Sequence, residues 1–298
     1  MKTKRINSAN EEDEEEDLCN SLNRIIRLNS SESTISSTGS SILQTNSSST
    51  AANSEIESPV LDDEQQSLKL IYSISGKSKH STHITTVSAT TETNIFNFGD
   101  DATLEYENED FFIFGLADGV SGNTKKGFDA KLFPLALLSV SQHILENEYE
   151  HNLKSSVASN TLLFDLLCKS HQLVQEKHVY GSSTVCMLTL NKSTFVLNTL
   201  NLGDSGYLII RDNQVFYKSV AQSHRYNAPF QIGCTPPELF EIDLYRDMPE
   251  DSICLQHSLK TGDFLLLSSD GLFDNLYEDE IALILQDHVV SCFLKNIL

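Results

Sequence analysis

The sequence predicts an α+β protein in which antiparallel sheets pack together and carry flanking helices. Three observations lead there. Short apolar runs with period-two alternation dominate the middle of the chain, from Ser183 to Ser268. Two helix-period segments, Asp129–Glu146 and Thr161–Gln175, lie together before most of those strands. A doubly wound parallel sheet would need strand and helix to alternate, so that class does not fit.

Taken in order, Met1 to about Gln66 reads as a low-complexity tail. Glu11 to Asp17 is an unbroken acidic block, and Asn29 to Ser58 is dominated by Ser, Thr and Asn. Such a segment buries too little apolar surface to offset the entropy of ordering. Within it, Leu18–Leu28 has the spacing of a short, transient amphipathic helix, with Leu18, Leu22, Ile25 and Ile26 on one face. The folded domain is expected from residue 67, with strands at Leu68–Ser75 and His83–Ala89. The apolar run Phe111–Ala117 is too short and too rich in β-formers for a helix, so it reads as a buried strand. In Asp129–Glu146, Leu132, Leu135, Ala136, Leu138 and Ile144 form the apolar face, and Pro134 fits only in the first turn. In Thr161–Gln175 the face is Leu162, Leu163, Leu166, Leu167, Leu173 and Val174. Strands follow at Ser183–Leu190, Thr194–Leu200, Tyr207–Arg211, Gln214–Lys218, Ser252–His257 and Phe264–Ser268, with Asp212-Asn213 as a tight hairpin turn. Glu278–Leu298 returns to helical period.

Aspartates stand at the ends of several of these strands. Asp100 and Asp101 precede the Phe111–Ala117 run; Asp118 ends it and opens a turn with Gly119. Asp204 sits in a Gly-Asp-Ser-Gly turn, and Asp270-Gly271 repeats the arrangement after Phe264–Leu267. Any one Asp-Gly pair is as easily a solvated turn. Several converging at one edge of a sheet system would form an oxygen cage suited to Mg or Mn, as in hydrolases of phosphate esters.

Composition narrows the partners. A formal net charge of -21 argues against nucleic acid and anionic membrane surfaces. No apolar stretch approaches a membrane span. Cys19, Cys168, Cys186, Cys234, Cys254 and Cys292 show no C-x-x-C pair, which suggests reduced thiols in a cytosolic or nuclear setting. The N-terminus turns acidic too soon for a mitochondrial presequence and is too polar for a secretory signal. A monomer is expected.

The strings GDDA, GLADGVSG, GSSTVCMLTL, LNLGDSGYLIIR and LLLSSDGLFDNL, in that order, resemble the metal-dependent serine/threonine phosphatases of the protein phosphatase 2C (PPM) family. The resemblance runs from about Leu68 to Leu285. The string AQSHRYNAPFQIG looks like a compact eukaryotic sub-branch, some of whose members are mitochondrial. It implies an α-β-β-α layered sandwich and phosphorylated protein substrates. It implies two Mg or Mn ions, with a weaker third. Asp118 would bridge two ions, the Gly119 carbonyl would ligate one, and Asp270 would be a direct ligand. Asp101, with Asp100 in the place of the family's usual Glu, would hold metal-bound waters, and Asp204 would serve the weaker ion. A metal-bridging water would attack phosphorus in line, without a phosphoenzyme, so Ser121, Ser182 and Ser183 would be turn and core residues.

The chain also departs from that pattern. Val120 stands where many members have a histidine, and no arginine precedes the acidic pair, leaving Lys125 or Lys126 as stand-ins. The family's later Asp-Asp-Ile-Thr-Val-like string, which supplies another metal-ligating aspartate and a core strand, does not occur before Leu298. The domain, residues 67–298, is therefore expected to be C-terminally truncated, with an unpaired sheet neighbour. The alternative expectation is a catalytically weak, phosphatase-like binding or regulatory protein. Among other candidates, His171 and His178 read as core or surface histidines, His224 as a residue that could line the site, and Asp274 and Asn275 as caps of the next helix.

Overall fold

The computed structural model describes residues 24–30, 68–76, 85–87, 95–148, 161–239 and 247–295. The acidic block Glu11–Asp17, most of the Ser/Thr/Asn-rich stretch and Cys19 lie outside them.

The strands in chain order are β1 (Arg24–Ser30), β2 (Leu68–Gly76), β3 (Thr85–Val87), β4 (Ile95–Phe98), β5 (Asp101–Glu107) and β6 (Phe111–Asp118). Helices α1 (Leu132–Glu148) and α2 (Leu162–Glu176) follow. Then come β7 (Gly181–Ser183), β8 (Val185–Asn191), β9 (Val196–Leu202), β10 (Gly206–Arg211), β11 (Gln214–Lys218), β12 (Ser223–Arg225), β13 (Ala228–Pro229) and β14 (Ile232–Cys234). After β15 (Ile253–Ser258) and β16 (Phe264–Ser268), a single turn α3 (Asp270–Phe273) leads into α4 (Glu278–Lys295).

Two six-stranded antiparallel sheets result, ordered β15-β9-β8-β6-β5-β4 and β11-β10-β16-β1-β2-β3. Strand alternation sorts the side chains into three apolar layers. On β6, Phe112, Phe114 and Leu116 face the second sheet, where they meet Tyr207, Ile209, Leu265 and Leu267. The alternate residues Phe111, Ile113 and Ala117 face α1 and α2, against Phe133, Leu137, Leu166 and Leu167. Across the second sheet, Leu208, Ile210, Phe264 and Leu266 turn outward to Leu272, Ile281 and Leu285 of α3 and α4. Helix, sheet, sheet, helix is the layering expected.

Local chemistry accounts for the details. Pro134 is the third residue of α1, inside the first turn, where its missing N–H costs no helical bond. Asp212 and Asn213 both have positive φ (52° and 60°), the left-handed pair that a two-residue hairpin needs. His171 is a core histidine: buried, with Nε2 2.8 Å from the Gly233 carbonyl, and burial holds its pKa below the usual value. His178 ends the turn after α2, at φ 53°. Asp274 and Asn275 do not cap α4. Asn275 Nδ2 donates to the Gly271 carbonyl, and it is Glu280 that accepts the Tyr277 N–H at the start of α4.

One difference is larger. Arg24–Leu28, read from the sequence as the end of a transient helix, belongs to β1, which pairs along its length with β2 and over Ile25–Arg27 with β16. Its β-branched pair Ile25-Ile26 suits either structure, and pairing on both sides decides for the strand. Among the described residues β16 is thereby flanked by β10 and β1.

Candidate functional site

The acidic site forms where both sheets end together. Asp101 opens β5 directly opposite Asp118, the last residue of β6. The Asp118 backbone is gripped from the other side as well. Its carbonyl accepts from the Thr184 N–H at 3.0 Å, and its own N–H donates to Thr184 Oγ1 at 3.3 Å. Thr184 Oγ1 is in turn 2.6 Å from Ser205 Oγ, in the turn that carries Asp204. That turn passes the chain from β9 in one sheet to β10 in the other, so it lies where the sheets meet.

Gly119 continues the approach. Its N–H donates to the Asp100 carbonyl at 3.1 Å and it bridges Ser183. A Cβ here would run into the backbone oxygens of Ala130 and Asp100, so only glycine fits between them. Asp270 arrives from the second sheet, at the first position of α3 just after β16. The preceding Ser269 donates from Oγ to Asp101 Oδ2 at 3.1 Å, linking the two motifs.

The structure thus brings Asp101 and Asp270 close enough to Asp118 for both their charges to act on its carboxyl. Burial, then the charges of Asp101 and Asp270, push the Asp118 carboxyl up to about 10. Asp204 is raised to about 6, first by burial and then by Asp270, against the pull of its own and Ser205's N–H groups. Asp100 sits one step aside: its Oδ2 accepts from Ser121 Oγ at 3.1 Å, fixing the turn after Gly119. Among the described residues, no three His, Cys, Asp or Glu side chains stand as a ready metal cage. Here a proton on Asp118 can serve one neighbouring carboxylate, whereas a hard divalent cation would satisfy all three. The donor set is all oxygen, anionic and only half-buried at Asp118, which fits Mg or Mn.

The serines stay structural. Ser182 Oγ donates to Gln231 Oε1 at 2.6 Å, and Ser183 Oγ is buried without a partner among the described residues. His224 stacks on Phe230 and lies 2.9 Å from Asp247 Oδ2. Sequence reasoning missed Thr184, Ser205 and Ser269, which hold the aspartates in place. Small polar residues in turns carry no pattern that would reveal this.

No protein-family model matches the chain. It is 36% identical over 188 residues to the protein phosphatase PTC7 homolog fig of Drosophila simulans, covering 63% of this chain and 58% of that protein. The same figures hold for the Drosophila melanogaster protein. The X-ray structure of the photosystem II phosphatase PBCP superposes with a TM-score of 0.52 at 28% identity, over 63% of this chain and 66% of that one. Each of these proteins is named as a phosphatase. It spans less than two thirds of the length of the curated relatives it matches. Asp101, Asp118, Asp204 and Asp270 lie on strand ends and turns where the two sheets end.

Proposed function

We propose that the chain is a metal-dependent protein serine/threonine phosphatase. The observation that carries this is the meeting of Asp101, Asp118 and Asp270 at one end of the sandwich, with Asp204 beside Asp270. The relatives named as protein phosphatases support it.

Asp118, the Gly119 carbonyl and Asp270 would hold two Mg or Mn ions, with Asp101 and Asp100 behind them and Asp204 toward a weaker third. Divalent ions there would lower the pKa of water and stabilise charge on phosphate oxygens. The chain's own part is placement. Thr184 and the β5–β6 pairing fix Asp118, Ser269 fixes Asp101, and the absent side chain of Gly119 lets its backbone come close. Attack by water would need no serine nucleophile.

Hydrolysis of a phosphothreonine peptide with excess Mn tests the reading. We expect turnover that falls at least a hundredfold in Asp270→Ala and vanishes with a chelator. A folded chain that binds Mn yet releases no phosphate would instead support the binding or regulatory alternative.

A further inference from the structure

Two short arms flank the acidic end, and both expose cations in a chain of net charge -21. The first is the 3-10 turn Ser121–Lys126, directly after Gly119 and Val120, with Lys125 and Lys126 exposed. Ser121 ties its start to Asp100, and the buried Asn123 anchors it through Nδ2 to Ser182 Oγ at 2.9 Å. The second is the β12–β13 hairpin, whose tip exposes Arg225, Tyr226 and Asn227. Its base is pinned beside Asp204: the Gln222 N–H donates to the Gly203 carbonyl and the Phe230 N–H to the Gln222 carbonyl, both at 2.9 Å.

The arms are coupled to each other. Ser182 Oγ, which accepts from Asn123, donates to Gln231 Oε1 at 2.6 Å. The Gln231 N–H donates to Asp247 Oδ2 at 2.8 Å, and the same oxygen lies 2.9 Å from His224 Nε2. A continuous chain of polar contacts therefore runs from the turn to the hairpin and holds both at fixed positions beside the site.

Four of the other cations among the described residues are neutralised. Lys131, Lys192, Arg211 and Lys218 each pair with a carboxylate. Lys125 and Arg225 hold no carboxylate among the described residues. The long-range field of so acidic a chain would favour basic substrates, whereas the arms present the opposite charge at the place where a substrate must lie. We propose that the two arms receive a phosphorylated segment with acidic residues flanking the phosphoserine or phosphothreonine. Lys125 would read one side and Arg225 the other, and the Tyr226 ring, 99% exposed, would cover the peptide backbone. This rests on the phosphatase reading.

The test uses the full Mn-loaded chain and three fluorescent phosphothreonine peptides of equal length, flanked by Glu, Ala or Lys. Hydrolysis is followed by kcat/KM and binding by anisotropy. We expect the Glu-flanked peptide to exceed the Lys-flanked one about fivefold at low salt, as a few exposed charge contacts give. The gap should narrow in high salt, and the double variant Lys125→Glu/Arg225→Glu should reverse the order. Equal use of the three peptides, or a preference for Lys, overturns the proposal. A Glu preference in binding without turnover supports the arms and defeats the phosphatase reading. Neither turnover nor a binding preference defeats both.

Discussion

Burial and the neighbouring charges of Asp101 and Asp270 act on Asp118, its carboxyl pushed up to about 10. A folded-state pKa above the unfolded value of 3.8 means that the folded chain binds the extra proton between those limits. Stability from this group is therefore present at low pH and lost as pH rises from about 4 toward 10. In a chelator, thermal unfolding should show that decline in the parent and a flatter profile in Asp118→Asn, which cannot ionise. Adding Mn at a hundredfold its Kd should raise the parent's Tm by roughly 5–10 °C, from about 2.7 kcal/mol of linkage, and leave the variant nearly unmoved. At this scale much was legible. Asp101, Asp118, Asp204 and Asp270 stand out in sequence because each ends a strand or opens a small-residue turn. Ser269, Thr184 and Asn123 were not legible, because their roles depend on partners 168, 66 and 59 positions away.

The elements around Asp118 are held by close backbone contacts rather than by large side chains. Gly119→Ala would set a methyl against the carbonyl oxygens of Ala130 and Asp100, so one of the two segments must move. We expect a loss of about 2–4 kcal/mol, read as a lower denaturant midpoint, together with weaker Mn binding because Asp118 is the next residue. Elements with strong periodicity were legible: β6 and β16 through continuous apolar runs and α2 through an apolar face that the core confirms. On α1, Leu138 and Ile144 are buried as expected, but Leu132 is exposed and Phe133 and Leu137 enter the core instead. The β12–β13 hairpin was not, since Ser-His-Arg-Tyr-Asn-Ala-Pro has no alternation and is fixed by the Asp247 and Gly203 contacts instead.

For the molecule as a whole, the unexpected feature is β1, inserted between β16 and β2. Its sequence allows a helix or a strand, and only the two open neighbours settle the choice; local propensity could not. Ile26→Pro removes a ladder donor from a strand paired on both sides. It should lower Tm by several degrees, whereas a loose tail would tolerate the change. The sandwich matters to function because it brings the end of β6 and the start of α3 from different sheets to one place. The most direct test of that account is the number of Mn ions bound by the purified chain, counted by electron paramagnetic resonance of free Mn. Two tight ions in the parent, with fewer in both Asp118→Asn and Asp270→Asn, are expected. A folded chain that binds no Mn, or binds it equally in all three proteins, would contradict it.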